Sequence, residues 1–299
     1  MKRYNIILAF VLAISLQGFG QHKNDSVPEI GLGIIANVNQ GNSYITFPTD
    51  LGNLEPLWFE GNIIPNFLIR QSKNSRVMGV LTPQIIIRMY QEESMPVRTP
   101  SYIPQITLYY RIDALKSNSR HTLFGRFAHH SNGQAGNFYL PNGEINLKTG
   151  NFSTNFFEIG LIYDRSIPKL NAEQFLISSL EVHPLSWSID ELEGLYSPLR
   201  WHGTFSIYKM PFGKKNSKNK RAKISFRTEA IWMFGDINQW KDFSLKRLNF
   251  DFIFYYHPRF LEDIGFFIQY YNGMDYYNIY FNEKRKVLRF GIMTSKLKF

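Results

Sequence analysis

In Phe127-Ala128-His129-His130-Ser131-Asn132-Gly133-Gln134 an imidazole and a hydroxyl stand two residues apart. On an extended strand that spacing sends His129 and Ser131 to the same side, within easy contact. A hydroxyl beside an imidazole pairs a nucleophile with a general base. Following the face back through Phe127 and Leu123 shows that it is the apolar one. Two polar groups there cost about 1 to 3 kcal/mol each unless they find partners. Asn155 can supply one. In the next run Asn155, Phe157, Ile159, Leu161 and Tyr163 share an apolar face, opposite Phe156, Glu158, Gly160, Ile162 and Asp164. Ser131, His129 and Asn155 would then be nucleophile, base and orienting amide, the logic of a serine-hydrolase triad. An amide accepts the imidazole hydrogen bond but supplies no charge to the imidazolium. The same spacing also fits a plain interfacial pair at a strand end, with His130 pointing inward and Asn132-Gly133 as a turn signal.

The elements that must hold these residues are strands. Ile106, Leu108, Tyr110 and Ile112 oppose Gln105, Thr107, Tyr109 and Arg111. Ile224, Phe226, Thr228, Ala230 and Trp232 oppose Lys223, Ser225, Arg227 and Glu229, and Leu248 to Tyr256 alternate in the same way. Twelve such runs are expected, near 30–38, 62–70, 77–89, 102–112, 121–131, 152–164, 174–185, 199–208, 222–233, 246–256, 264–273 and 286–298. An even count suits a closed barrel, and the connections alternate between short (71–76, 113–120) and long (39–61, 132–151, 274–285) as such barrels require. The expectation is an all-β, 12-stranded antiparallel transmembrane β-barrel of the outer membrane, with Ser131 and Ser94 at the external side. A soluble sandwich or lipocalin-like barrel would also alternate, but its polar face would be outside. The basic connection Lys209 to Arg221 reads as a solvated turn, and Leu297 with Phe299 resembles a C-terminal insertion signature. Leu288, Phe290 and Ile292 put even positions of the last strand toward lipid, whereas Phe299 suggests odd ones.

Composition agrees. Basic Lys2-Arg3, an apolar run from Ile6 to Leu16 and small residues at Gly18 and Gly20 read as a signal peptide over 1–20, leaving 21–299 as a single β-barrel domain. No later run approaches the length of a spanning helix. With no cysteine, neither disulfides nor a lipidated cysteine can staple the chain. Aromatics at 16% with a mildly negative mean hydropathy are what alternating lipid-facing and lumen-facing residues average to. A net charge of +10 suggests an anionic partner, and export argues against nucleic acid.

The chain resembles the outer-membrane phospholipase A family, whose signature is a His-x-Ser-Asn-Gly segment on a barrel strand. Pro96-Val97-Arg98-Thr99-Pro100-Ser101-Tyr102-Ile103-Pro104-Gln105 resembles the family's Pro-x-Arg, Tyr-x-Pro-Gln stretch, and Gln269-Tyr270-Tyr271-Asn272-Gly273 with Arg289-Phe290-Gly291 resembles its closing strands. The resemblance implies a calcium-dependent phospholipase for glycerophospholipids and lysophospholipids, active as a homodimer with acyl chains between two barrels. It makes Ser131 the nucleophile, His129 the base and Asn155 the orienting residue, with oxyanion stabilisation by a backbone amide near Ser131 or Gly133. It implies calcium ligands at Ser94, the Gln134 carbonyl and Asn151, and matches Gln84 to a dimer-interface glutamine. Departures accompany it: Asn151 stands where a hydroxyl is usual, Gln134 where a basic residue is, Gly273-Met274-Asp275-Tyr276 replaces Gly-Tyr-Gly-Glu, and the loop from Gln134 to Asn151 is longer. The rivals are a lipid A deacylase-type barrel, which has an acidic third member and a smaller barrel, and a catalytically inactive porin-like barrel.

Overall fold

A strand whose side chains alternate between oil and water can bury its backbone only by pairing on both edges, and closing the sheet removes the last free edge. The computed structural model, which describes residues 30–69, 75–94, 96–113, 119–210, 222–258 and 260–294, does this with twelve antiparallel strands. Strand β1 runs in two pieces, Tyr44–Thr46 and Leu51–Gly52, and β2 in two, Leu57–Ile63 and Phe67–Ile69. Then follow β3 (Val77–Tyr90), β4 (Ser101–Arg111), β5 (Ser119–Ser131), β6 (Ser153–Ile167), β7 (Ala172–Val182) and β8 (Leu199–Lys209). The last four are β9 (Ile224–Phe234), β10 (Leu248–Tyr256), β11 (Ile264–Met274) and β12 (Lys284–Thr294). Each pairs with its neighbour in sequence, and β1 closes on β12 through Tyr44↔Met293 and Leu51↔Leu288.

The barrel is inside-out relative to a soluble protein. Leu108 is 57% exposed and Ile159 68%, whereas Arg88, Glu60 and Arg120 are buried in the lumen. The soluble alternative fails on this point, because its charged face would have to be the outer one. The faces assigned from sequence hold: Ile106, Leu108 and Tyr110 face out, and Gln105, Thr107, Tyr109 and Arg111 face in. In β12 the odd residues Val287, Arg289 and Met293 are buried in the lumen, so even positions face lipid from Lys284 to Thr294. Phe299, the signal peptide expected over 1–20 and most of the basic connection, 211–221, lie outside the described residues.

Two expectations are corrected. The run near 30–38 is not a strand: Leu32–Gln40 is a helix, α1, packed inside the barrel against Met78, Tyr109, Phe124, Phe175 and Tyr208. A segment inside a closed barrel meets no open strand edge, so its backbone must satisfy itself, which only a helix does. Ile30, Leu32, Ile34, Ala36 and Val38 look alternating, but the buried apolar residues of α1 are Leu32, Ile35, Ala36 and Val38, a helical spacing, while Asn39 and Gln40 line the lumen cavity. Its end is fastened by Arg227 Nη1 on the Val38 carbonyl (2.7 Å) and Gln40 Nε2 on Thr107 Oγ1 (2.9 Å). The second correction follows: the first barrel strand lies within 39–61, which read as a long loop from sequence. At the opposite end, Phe138, Phe152, Leu192, Tyr277, Tyr280 and Phe281 fold over the lumen. A cavity of about 390 Å³, lined by both charged and apolar side chains, remains between the two closures.

Candidate active site

His129 ends the outward face of β5 with Ser131, and Asn155 opens the outward face of β6; the ladder sets His129 opposite Asn155 and Ser131 opposite Ser153. Asn132 N donates to Phe152 O (3.1 Å), so the alternation of ladder bonds makes the two outward pairs the non-hydrogen-bonded ones, where facing side chains stand closest. There His129 Nδ1 meets Asn155 Oδ1 at 2.9 Å. The second amide atom of Asn155, Nδ2, donates to the main-chain carbonyl of Trp187 at 2.8 Å. A carbonyl only accepts, so Nδ2 must face Trp187 and Oδ1 must face His129. His129 then carries its proton on Nδ1, leaving Nε2 as the basic nitrogen. Ser131 Oγ makes no hydrogen bond among the described residues, and all three side chains are half-buried on the lipid face.

Beyond Ser131 the chain must turn sharply. Gly133 has φ +67°, a conformation that disfavours a side chain, and Asn132 locks the turn. Asn132 is 1% exposed; its Nδ2 donates to Gly150 O (2.8 Å) and its Oδ1 accepts from Gln134 N (3.2 Å) and Phe152 N (3.0 Å). The amides of residues 132 and 134 are thereby consumed. Between them the Gly133 N–H has no partner among the described residues, which makes it the donor free to meet a developing oxyanion. The Ser131 N–H is directed by the ladder alternation toward β4, where Ser131 faces Tyr102.

Just inward of the triad, Phe127 and Phe157 pack at 5.1 Å between ring centroids, and Trp187 covers them at 6.2 and 5.2 Å. Sequence reasoning assigned Trp187 no role. Its contribution to Asn155 is a backbone oxygen, which no residue type announces; the aromatic ring in a rim loop is the only signal it leaves.

Of the calcium positions implied by resemblance, two share one loop. Asn151 N donates to Gly136 O (3.0 Å) and Gly136 N to Thr149 O (3.1 Å), which draws the arms carrying Gln134 and Asn151 together. Their neutral oxygens suit a hard cation. Ser94 is exposed in the loop 91–100 with φ +66°, and no contact among the described residues joins it to the other two. No group of three or more His, Asp or Glu residues suited to a metal occurs among the described residues. Gln84 is corrected: it points into the lumen, accepting from Gln105 Nε2 (3.1 Å) and donating to Asn62 Oδ1 (3.0 Å), and so cannot face a second barrel. Arg98 of the Pro-x-Arg stretch is scaffolding, bound to Tyr280 OH (2.9 Å) and Glu55 (2.7 Å) over the Tyr90 ring. Asp275, in the altered closing segment, accepts from Arg88 Nη1 and Nη2, both at 2.8 Å.

Among solved structures the chain is similar to outer membrane phospholipase A from Escherichia coli, with a TM-score of 0.56 at 12% identity over 89% of this chain and 98% of that one. The chain has the outer membrane phospholipase A fold. A Salmonella typhi outer membrane phospholipase, solved as a dimer with bound calcium, matches with a TM-score of 0.58 at 13% identity over 87% of this chain and 96% of the other. No family model and no curated protein matches the chain. The phospholipase A fold and the apolar exterior identify an outer-membrane β-barrel.

Proposed function

We propose that this chain hydrolyses acyl esters of membrane glycerophospholipids and lysophospholipids, with Ser131 as nucleophile. The observation that carries the reading is the His129 Nδ1 to Asn155 Oδ1 hydrogen bond on the lipid face, with Ser131 beside it. Ser131 Oγ attacks the ester carbonyl as its proton passes to His129 Nε2, and Asn155 holds the imidazole in the tautomer that can take it. The negative charge on the carbonyl oxygen is met by the Gly133 N–H. Collapse breaks the bond to the glycerol oxygen, which takes the proton from Nε2 and leaves an acyl group on Ser131. Water then adds to that ester with His129 again as base, and the fatty acid is released. Calcium would be held by the oxygens of Gln134, Asn151 and Ser94 and would supply positive charge to polarise the ester carbonyl. A homodimer, as in the calcium-bound Salmonella relative, would enclose the acyl chain between two lipid faces.

The test is fatty-acid release from defined phospholipid vesicles by the folded protein, with and without a calcium chelator, against Ser131→Ala. Release falls by about a thousandfold or more in Ser131→Ala, and the chelator suppresses it in the parent. Release that survives the substitution refutes the reading. A parent that spares phospholipid but deacylates lipid A favours the deacylase-type barrel, and one that spares both favours an inactive barrel.

A further inference from the structure

Asn155 is held from two sides, and the second side constrains what residue can work there. The Trp187 carbonyl that accepts from Asn155 Nδ2 belongs to a short 3-10 turn, Leu185–Trp187, beyond β7. That turn is fastened to the start of β6 at several points. Thr154 and Ser188 form a backbone bridge, and their hydroxyls meet at 2.8 Å. Thr154 Oγ1 also lies 2.9 Å from His183 Nδ1, and Ile189 N donates to Ser153 O at 3.1 Å. The Trp187 ring rests on Phe127 and Phe157. The carbonyl is therefore not free to swing away from position 155.

We infer that the Trp187 carbonyl is a positioning group that makes position 155 selective for an amide, so that the more usual carboxylate of a serine-hydrolase triad is excluded here. The inference rests on the hydrolase reading of the same site. An ionised carboxylate offers only acceptors, and one of its oxygens would face the carbonyl oxygen at the distance now spanned by a hydrogen bond. The carboxylate relieves this by turning away or by keeping a proton, and either response weakens its hold on His129 Nδ1. The gain in imidazolium stabilisation expected from a carboxylate is thus forfeited while the turn stays in place, and returns when the turn is released.

The test is a double-mutant cycle of Asn155→Asp with Trp187→Gly, which removes the ring that pins the turn. It is read as kcat and KM on a water-soluble p-nitrophenyl ester in micelles. Folding of each variant is checked by heat-modifiable gel mobility, and Thr154→Val with Ser188→Ala releases the same turn from its other side. In the parent, Asn155→Asp lowers kcat about tenfold or more with little change in KM, since the loss is confined to the transition state. In either released background the same substitution leaves kcat unchanged or raises it. A merely structural role for the turn gives losses that multiply, and that result overturns the inference, as does a fully active Asn155→Asp in the parent. Covalent labelling of Ser131 by a fluorophosphonate keeps the two claims apart. A parent that labels but shows no coupling refutes the amide selectivity alone, whereas a parent that never labels refutes the hydrolase reading and the inference with it.

Discussion

Replacing Asn132 with alanine should disable the site without touching any of its three reacting side chains. The Asn132 side chain makes three hydrogen bonds, to Gly150 O, Gln134 N and Phe152 N, and is almost wholly buried. At about 1 kcal/mol net for each, roughly 3 kcal/mol of ordering is lost from the neck of the loop 132–152, and the two amides are left unpaired in a buried place. One of those amides, Gln134 N, directly follows Gly133, so the neck that loosens is the one that aims the Gly133 N–H. Losing one aimed oxyanion donor costs about a hundredfold to a thousandfold in kcat. The expectation for Asn132→Ala is therefore a fall of about a hundredfold in kcat at nearly unchanged KM, with faster proteolytic cutting within 137–149. Asn132→Asp keeps both acceptor bonds but sets a carboxylate against Gly150 O, and should fall in between. The assay is turnover of a soluble ester by protein shown to be folded. If Asn132→Ala keeps its kcat to within about threefold, Asn132 does not hold the oxyanion donor and the reasoning fails.

Two further predictions concern stability. A Cβ on Gly160 would lie 2.5 Å from Phe124 Cε1 and 2.6 Å from Ser179 Cβ, so Gly160→Ala should cost about 1 to 3 kcal/mol, read as a lower urea midpoint for folding in vesicles; an unchanged midpoint refutes the packing. Burial pushes the His183 imidazole, in the loop beyond β7, below its ordinary 6.5 despite its contact with Glu181. The unfolded chain then binds that proton first, so stability is full above about pH 6.5 and declines as the pH falls from there toward the depressed folded value. Comparing denaturant midpoints at acid and neutral pH should show this decline, and His183→Gln should reduce it; an equal decline in both proteins would remove His183 as the cause.

The sequence determined the barrel because period-two alternation between oil and water is a one-dimensional signal: Ile106, Leu108 and Tyr110 against Gln105, Thr107 and Tyr109 name both faces of β4 before any contact is known. It also determined the candidate pair, since two residues on one strand share a face whatever the rest of the chain does, and Asn155 followed from the same parity on β6. What the sequence could not decide was anything set by the far side of a residue. Ile30 to Val38 alternates as a strand would, and only enclosure by the other strands makes it a helix. Gln84 looked able to meet a partner barrel until the register turned it inward. The hold on Asn155 comes from a main-chain oxygen of Trp187, and all residue types carry that oxygen alike. Faces are written in the order of side chains, but a carbonyl's aim and a segment's enclosure depend on what the distant chain brings beside them, and those were settled only when the sheet closed.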